Sequence, residues 1–379
     1  MSIPIADIPS PCYLLEEELL IENLELISSV ARESRVSVIP ALKGFAMWSV
    51  FPLIAEYVSG AAASSLNEAL LIQREMGLKA HSYAPVFREE EFDAILAASS
   101  HLSFNSPSQV SRFLPRLEAF NSAVNLKKRV SWGCRVNPGY SPVETALYTP
   151  ASPKSRLGLA RRELDEILRH HMPEGLHAHA LCESSAAETG QLIETLEKGF
   201  GDLFPRLRWL NLGGGHLMTR KGYDRKLLID TLRDLGQRYP SLTLYLEPGS
   251  AFVWETGFLR AQVEDIVTRA GVMTAILDVS FTAHMPDCLE MPYQPRIRGM
   301  RIAEPRHSGA PQEGFRYRMG GNSCLAGDVQ GDWLSETELT IGDPLIFEDM
   351  IHYTMVKTTM FNGVHHPSIG ILKKDGSFS

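Results

Sequence analysis

The stretch VSVIPALKGF, residues 36–45, places a short apolar run directly before a lysine and a glycine. A short run of this kind, rich in β-branched residues, is typical of a strand that is buried on both faces. Lys43 therefore stands where such a strand should end. A lysine in that position is usually a solvated boundary residue, so its meaning depends on what lies at the ends of the other strands.

Seven further apolar runs follow, most of them separated by amphipathic helix patterns such as residues 66–77, 107–120 and 223–240. Eight parallel strands with intervening helices in roughly 230 residues match the expected size of a (β/α)8 TIM-type barrel. A doubly wound parallel sheet is the alternative. The predicted strands are residues 36–43, 60–65, 80–85, 101–106, 129–136, 175–181, 207–214 and 242–248.

After Gly249 the pattern changes to short alternating runs that are broken by Gly, Pro and Asp. Such runs predict an all-β domain. We therefore expect an α/β protein with a barrel over residues 15–250. A C-terminal domain that resembles a β-sandwich or β-barrel should occupy residues 251–379, joined by about residues 1–14.

The composition is that of an ordinary soluble protein. The chain has 379 residues and a formal net charge of -8, which argues against nucleic acid as a partner. No run is long enough to span a membrane and no leader pattern opens the chain, so we expect a cytoplasmic protein. The five cysteines are scattered without a C-x-x-C pair, which predicts free thiols and no metal site.

Functional groups of a barrel collect where the strands end. Lys43 ends the first predicted strand, His179 lies in the sixth, Gly213–Gly215 follow the seventh, and Glu247, the first residue of EPGSA, closes the eighth. Glycines can let backbone N–H groups approach a phosphate, although a tight turn is the simpler interpretation of GGG. A lysine for a Schiff base, a glycine cradle for a phosphate and an acid for a ring nitrogen together predict pyridoxal 5'-phosphate.

Motifs along nearly the whole chain resemble the barrel-type, alanine-racemase-like pyridoxal phosphate decarboxylases, which include ornithine, arginine and diaminopimelate decarboxylases. The resemblance implies a barrel followed by a β domain, and a homodimer whose active sites are shared between subunits. The matching stretches are ALKGFAMWSVFPLI, NPGYSPVETALY, SRLGL, HAHALCE, NLGGGHLMTR, YLEPGSA, DVSFTAHMPDCLEMPY, GGNSCLAGD and FEDMIHYTMVKTTMFNG.

The resemblance also implies roles for single residues. Lys43 would carry the cofactor, His179 would stack on its ring and Glu247 would pair with its pyridine nitrogen; His177 competes for the stacking role. Cys324 would reach across the dimer interface into the partner's site and act as a catalytic group. The expected phosphate-binding residues are Gly213, Gly214, Gly215, Gly249, Ser250, Ala251 and Tyr353.

Within this family, the resemblance implies decarboxylation of carboxynorspermidine to norspermidine and of carboxyspermidine to spermidine. Arg156 is the expected partner of the substrate carboxylate. The acid that ornithine decarboxylases carry directly after the cysteine is missing from CLAGD, which argues against ornithine as the substrate. The candidate residues for the cationic amines are His284, Asp287 and Asp328, with Glu290 equally well explained as a surface charge.

Other functions stay open at this point. A decarboxylase of another diamino acid, such as diaminopimelate, is the nearest alternative, followed by an alanine-racemase-like enzyme. A non-catalytic pyridoxal phosphate carrier would not need the roughly 130 residues after the barrel. A purely structural barrel would explain the glycine turns, but it would leave the lysine, histidine and glutamate at one rim unexplained.

Overall fold

The computed structural model describes residues 7–143, 149–305 and 313–379. Residues 144–148, the end of the NPGYSPVETALY motif, lie outside the described part of the chain. The chain divides into two compact units. One is Asn23–Phe252, and the other combines Met1–Glu22 with Val253–Ser379.

Strands occur throughout both units. In chain order they are β1 (Cys12–Glu16), β2 (Ser37–Val38), β3 (Ala61–Ala63), β4 (Ala80–Tyr83), β5 (Ser99–Phe104), β6 (Ser131–Arg135), β7 (Gly175–His177), β8 (Trp209–Asn211), β9 (Thr243–Leu246), β10 (Gly257–Arg269), β11 (Val272–Leu277), β12 (Met300–Ile302), β13 (Phe315–Gly320), β14 (Val329–Ser335), β15 (Pro344–Glu348) and β16 (Ser368–Leu372).

Helices alternate with the strands up to β9 and become short afterwards. They are α1 (Glu17–Ser34), α2 (Phe51–Ala55), α3 (Leu66–Leu71), α4 (Phe92–Ala98), α5 (Pro107–Ala123), α6 (Arg161–Leu168), α7 (Ala186–Phe200), α8 (Arg225–Arg238), α9 (Ser250–Val253), α10 (Phe281–His284), α11 (Pro286–Glu290) and α12 (Tyr353–Val356). Five-residue π-helical geometry over Ile72–Met76 extends α3, and Gly77 ends it with φ +66°.

Several of these helices begin at side-chain caps that the sequence shows. Ser65, Ser106 and Ser185 each accept a hydrogen bond from the backbone N–H three residues later. At Ser185 the Glu188 carboxylate also accepts the Ser185 N–H, which completes a capping box. Such caps satisfy N–H groups that the first helical turn leaves unpaired.

The larger unit is the predicted (β/α)8 barrel. Its eight strands pair in parallel in the order β2-β9-β8-β7-β6-β5-β4-β3. The two ends of this series then meet, because the Leu42 N–H donates to the Ala62 carbonyl and the Ala62 N–H donates to the Pro40 carbonyl. Closure confirms the barrel and excludes the open doubly wound sheet, which would leave two edges.

The other unit is built on a mixed sheet of eight strands, in the order β12-β14-β13-β11-β10-β1-β16, with β15 also pairing with β10. The strand β1 is antiparallel to β10 and parallel to β16, so the beginning of the chain is part of this sheet. Its core includes the fully buried side chains of Trp333, Tyr317 and Phe347. The confirmed class is therefore a barrel followed by a sheet domain.

Candidate active site

Lys43 lies just beyond β2, in a tight turn at the rim of the barrel. The Gly44 N–H donates to the Ala41 carbonyl at 2.9 Å, which reverses the chain and turns Lys43 toward the neighbouring strand ends. The Lys43 Nζ lies 3.1 Å from Nε2 of His179, which comes from the loop after β7. The structure thus brings together two residues that are 136 positions apart in the chain.

The hydrogen bonds of His179 assign the proton between these two residues. Its Nδ1 accepts the Gly214 N–H at 2.9 Å, so a neutral ring must carry its proton on Nε2. That Nε2–H can donate to Lys43 only if the Nζ offers a lone pair. The contact therefore requires Lys43 to be a neutral amine, which is the nucleophilic form of lysine.

The electrostatics of the site agree with a neutral Lys43 amine and a neutral His179 ring. Solvent reaches the Lys43 side chain, but the surrounding barrel wall lowers its pKa through desolvation, and the positive charge of Arg135 lowers the pKa further. Burial likewise lowers the pKa of His179 well below its usual range, with Lys43 as the next cause. Both pKa shifts run in the direction that favours the uncharged forms.

Glu247 follows β9 at the same rim, and its side chain is 11% exposed. Burial raises the pKa of this carboxyl group, while a hydrogen bond from Asn211 and the charge of Arg135 oppose the increase. The Asn211 Nδ2 donates to Oε1 of Glu247 at 2.5 Å. The other oxygen, Oε2, lies 3.5 Å from Nε2 of His177, and a carboxylate oxygen can accept more than one hydrogen bond, so the group can also pair with a cationic N–H group of a ligand.

The glycine turns after β8 and β9 surround these side chains with bare backbone. Gly213 and Gly215 have φ of +71° and +95°, a region that side chains rarely allow. A Cβ on Gly214 would lie 2.6 Å from the Glu247 carbonyl oxygen, so the loop could not approach β9 with a larger residue. Gly44 and Gly249 also meet backbone to backbone, since a Cβ on Gly44 would lie 2.8 Å from the Gly249 Cα.

Two groups at this rim were not predicted from the sequence. Arg135 ends β6 and is 5% exposed. Its guanidinium lies 4.4 Å from the ring centroid of Tyr83 and donates to the His179 carbonyl at 3.4 Å. Glu68 is a nearby carboxylate whose charge acts on Lys43. A charged residue that ends the buried run SWGCR was the available signal for Arg135.

Arg156, the expected partner of a carboxylate, lies on the exposed loop before α6. Asn105 fixes this loop, because its Nδ2 donates to the Arg156 carbonyl at 2.9 Å and its Oδ1 accepts the Gly158 N–H at 2.7 Å. The same Oδ1 accepts the Tyr83 hydroxyl at 2.8 Å. The backbone at Arg156 is therefore tied to the ends of β4 and β5, while its side chain is free to meet solvent.

The remaining predicted residues belong to the sheet unit. Cys324 is exposed, and its backbone N–H donates to the Asn362 Oδ1 at 2.9 Å. Asp328, on the same loop, is 2% exposed. Its carboxylate accepts the Thr282 N–H at 3.1 Å and both the N–H and the hydroxyl of Ser323, at 3.1 and 2.6 Å. Asp328 thus anchors the loop that presents Cys324.

Asp287 and Glu290 lie on α11, where both carboxylates form ion pairs with Lys357. An internal ammonium group therefore already contacts the two acids that were considered for substrate amines. His284 is fully buried, its Nδ1 accepts the Ser280 N–H at 3.1 Å, and burial lowers its pKa to about 4. Tyr353 is half-buried and opens α12.

The barrel residues fit pyridoxal phosphate. A neutral lysine suits an aldehyde, a partly satisfied buried carboxyl group suits a pyridine N–H, and the glycine turns leave no side chain against a phosphate. None of the five cysteines is part of a disulfide. Among the described residues, no helix is long and apolar enough to cross a membrane.

Comparisons with known proteins agree with this chemistry. Residues 12–351 match the sequence model of the family described as pyridoxal-dependent decarboxylase, C-terminal sheet domain. A carboxyaminopropylagmatine decarboxylase from Synechocystis is 47% identical over 378 residues, covering 99% of this chain and 92% of the relative. A carboxynorspermidine/carboxyspermidine decarboxylase from Campylobacter jejuni is 38% identical over 369 residues, covering 96% and 93%.

Solved structures of other decarboxylases share this fold. Carboxynorspermidine decarboxylase from Campylobacter jejuni, complexed with norspermidine, has a TM-score of 0.87 at 37% identity and covers 98% of this chain and 96% of its own. A diaminopimelate decarboxylase from Helicobacter pylori, at 18% identity and a TM-score of 0.80, shares the fold. The predicted enzyme class, a carboxy-lyase, is confirmed. The chain belongs to the pyridoxal-dependent decarboxylases.

Proposed function

We propose that this decarboxylase acts on a carboxylated linear polyamine, converting carboxynorspermidine to norspermidine and carboxyspermidine to spermidine. The observation that carries the proposal is the contact of a neutral Lys43 amine with His179 beside the buried Glu247. The choice of substrate is supported by relatives of that name, which match more than nine-tenths of the chain at 37–38% identity.

The barrel residues have complementary roles in this proposal. Lys43 would hold pyridoxal phosphate through its aldehyde group, and His179 would contact the ring. Glu247 would pair with the ring nitrogen, while backbone N–H groups of Gly213–Gly215 and Gly249–Ala251 would bind the phosphate, helped by Tyr353. When bound, the cofactor supplies an electron-accepting ring that stabilises the charge left on the substrate carbon as carbon dioxide departs.

The chain's own groups manage the protons. The Nε2–H of His179 keeps the Lys43 lone pair directed and the amine uncharged, so no proton has to leave before Lys43 forms its bond. An ionised Glu247 favours a protonated ring nitrogen. Cys324 is the proposed donor of the proton that replaces the lost carboxylate, because a thiol near neutral pH can both give and regain a proton.

The sheet unit would complete the site in a homodimer. The loop carrying Cys324 is exposed, and its neighbour Leu325 is a 46% exposed apolar residue, which supports burial against a second copy. The proposed contacts with the cationic amines are Asp287, His284 and Asp328, and Arg156 is proposed to meet the substrate carboxylate. Five cysteines in the reduced state support a cytoplasmic location.

A second candidate substrate is carboxyaminopropylagmatine. It is favoured by the 47% identity of the Synechocystis relative that bears this name, which exceeds the 38% of the Campylobacter jejuni relative. Agmatine ends in a guanidinium group, whereas norspermidine and spermidine end in ammonium groups. A planar guanidinium binds carboxylates through two parallel hydrogen bonds, so the two substrate types make different demands on the acids of the site.

The test is a comparison of kcat/KM for carboxynorspermidine, carboxyspermidine, carboxyaminopropylagmatine and diaminopimelate, with the amine product identified by chromatography. The absorption spectrum with pyridoxal phosphate is measured for the wild type and for Lys43→Ala. Lys226→Ala is the matched control, because Lys226 is an exposed helix lysine that pairs with Asp230. We expect the cofactor band and turnover to disappear only in Lys43→Ala.

The outcomes separate the candidates. Preference for either carboxylated triamine supports the first candidate, and preference for carboxyaminopropylagmatine supports the second. Turnover of diaminopimelate alone would refute both and would favour the alternative considered from the sequence. A spectrum that Lys43→Ala leaves unchanged would refute the role of Lys43.

A further inference from the structure

A second row of side chains lies directly below Glu247 inside the barrel. The strand register places Arg135 beside His177, His177 beside Asn211, and Asn211 beside Tyr245. Residues two positions apart in a strand point to the same face. Glu247, two residues beyond Tyr245, therefore points into the barrel above this row.

Asn211 in this row has a fixed orientation. Its Oδ1 accepts the Gly213 N–H at 2.8 Å, which leaves its Nδ2 to donate to Oε1 of Glu247 at 2.5 Å. A flipped amide would lose both hydrogen bonds. One oxygen of the Glu247 carboxyl group is thus tied, through Asn211, to the first glycine of the proposed phosphate-binding turn.

The other carboxyl oxygen faces His177. The Nε2 of His177 lies 3.5 Å from Oε2 of Glu247, and the imidazole is 5% exposed. This Nε2 is fully buried and has no hydrogen-bond partner within the usual distance among the described residues. A shift of about 0.5 Å would turn the contact into an ordinary hydrogen bond. A buried nitrogen without a partner is costly, so such a shift is favoured.

We propose that His177 is a positioning residue, which holds Glu247 through an Nε2–H to Oε2 hydrogen bond and thereby keeps the ring nitrogen of bound cofactor protonated. The inference rests on the proposed binding of pyridoxal phosphate. In one neutral tautomer of His177, Nε2 carries a proton and can donate it to an ionised Glu247. In the other tautomer, Nε2 is bare and can accept a hydrogen bond from a protonated Glu247. With Asn211 on the opposite oxygen, His177 fixes the carboxyl plane without touching the reacting atoms.

The role predicts a coupling between His177 and one atom of the cofactor. Full-length protein, freed of cofactor, is titrated with pyridoxal phosphate and with its deaza analogue, in which a C–H group replaces the ring nitrogen. We expect His177→Leu to weaken binding of pyridoxal phosphate about tenfold, the loss typical of one hydrogen bond to a charged group. Binding of the deaza analogue should be unchanged, because that ligand offers Glu247 no N–H group.

Two further variants control the experiment. His177→Gln places an amide nitrogen near the position of Nε2. It should keep the wild-type preference, which is the ratio of the affinity for pyridoxal phosphate to the affinity for the deaza analogue. His101→Leu removes another histidine of the barrel interior, whose ring packs against that of His81 at a centroid distance of 4.0 Å. It should leave the preference at the wild-type value. If His177→Leu does not fold, His177→Asn replaces it, since its shorter amide cannot reach Glu247.

The outcomes are distinct. Equal loss of both ligands in His177→Leu, or an unchanged preference, would overturn the positioning role and leave His177 a packing residue. The same holds if His177→Gln loses the preference as completely as His177→Leu. Wild-type protein that binds neither ligand would instead overturn the proposed function, on which the inference rests.

Discussion

The contact between Gly44 and Gly249 makes the position of Lys43 sensitive to one methyl group. A Cβ on Gly44 would lie 2.8 Å from the Gly249 Cα and 3.3 Å from the Ser250 nitrogen. These are backbone atoms of the loop after β9, which cannot rotate away as a side chain can. Carbon atoms pack favourably at about 3.5–4.0 Å, so Gly44→Ala requires the two loops to separate by roughly 1 Å.

Overpacking of this kind costs about 1–3 kcal/mol. We expect Gly44→Ala to lower the free energy of unfolding in urea by that amount. It should also weaken pyridoxal phosphate binding, because the displaced Ser250 N–H is a proposed phosphate donor. The matched control is Gly190→Ala in α7, where a Cβ would meet no atom within 4 Å apart from the neighbouring backbone of its own helix. Alanine in a helix interior should stabilise the protein there, by about 0.5–1 kcal/mol.

The test is that the two Gly→Ala substitutions change the free energy of unfolding in opposite directions, down for Gly44→Ala and up for Gly190→Ala. If Gly44→Ala were as stable as the wild type, or more stable, the backbone contact would not limit the site. A cofactor affinity that stays at the wild-type value in a destabilised Gly44→Ala would refute the link from Gly44 to the phosphate-binding loop. Either result could be read from urea titrations and the cofactor absorption band.

Two further predictions concern buried polar groups. Burial lowers the pKa of His216 from 6.5 to about 4, so its contribution to stability is present above pH 6.5 and is lost as the pH falls toward 4. Between pH 7 and pH 5 we expect this histidine to account for about 2 kcal/mol of lost unfolding free energy, and His216→Gln should show a correspondingly smaller loss in urea titrations. Asp328→Asn turns an amide NH2 toward an N–H donor, which should cost about 1–3 kcal/mol. Hydrogen exchange of the loop with Cys324 should then accelerate, and unchanged exchange would contradict the anchoring role.

The sequence determined the architecture because hydrophobic periodicity is a local property. Alternation of apolar runs with helix patterns predicted eight strands, and each of the eight has a counterpart in the barrel. Seven of the eight strands are shorter than predicted, for example β2, which covers only Ser37–Val38 of the run 36–43, whereas β5 keeps its predicted length but begins two residues earlier, at Ser99. Beyond them the chain turns to close the barrel and to present Lys43. The serine caps of α3, α5 and α7 were equally local signals.

Distances across the barrel were decided only by the tertiary structure, because they depend on strand register and on closure. The sequence placed Lys43, His179 and Glu247 at strand ends, but the proton assignment between Lys43 and His179 needed the Gly214 N–H. The row beneath Glu247 could not be predicted either. His177 is a buried histidine like several others in this chain, and its meaning comes from a neighbouring strand whose register sets it 3.5 Å from Glu247.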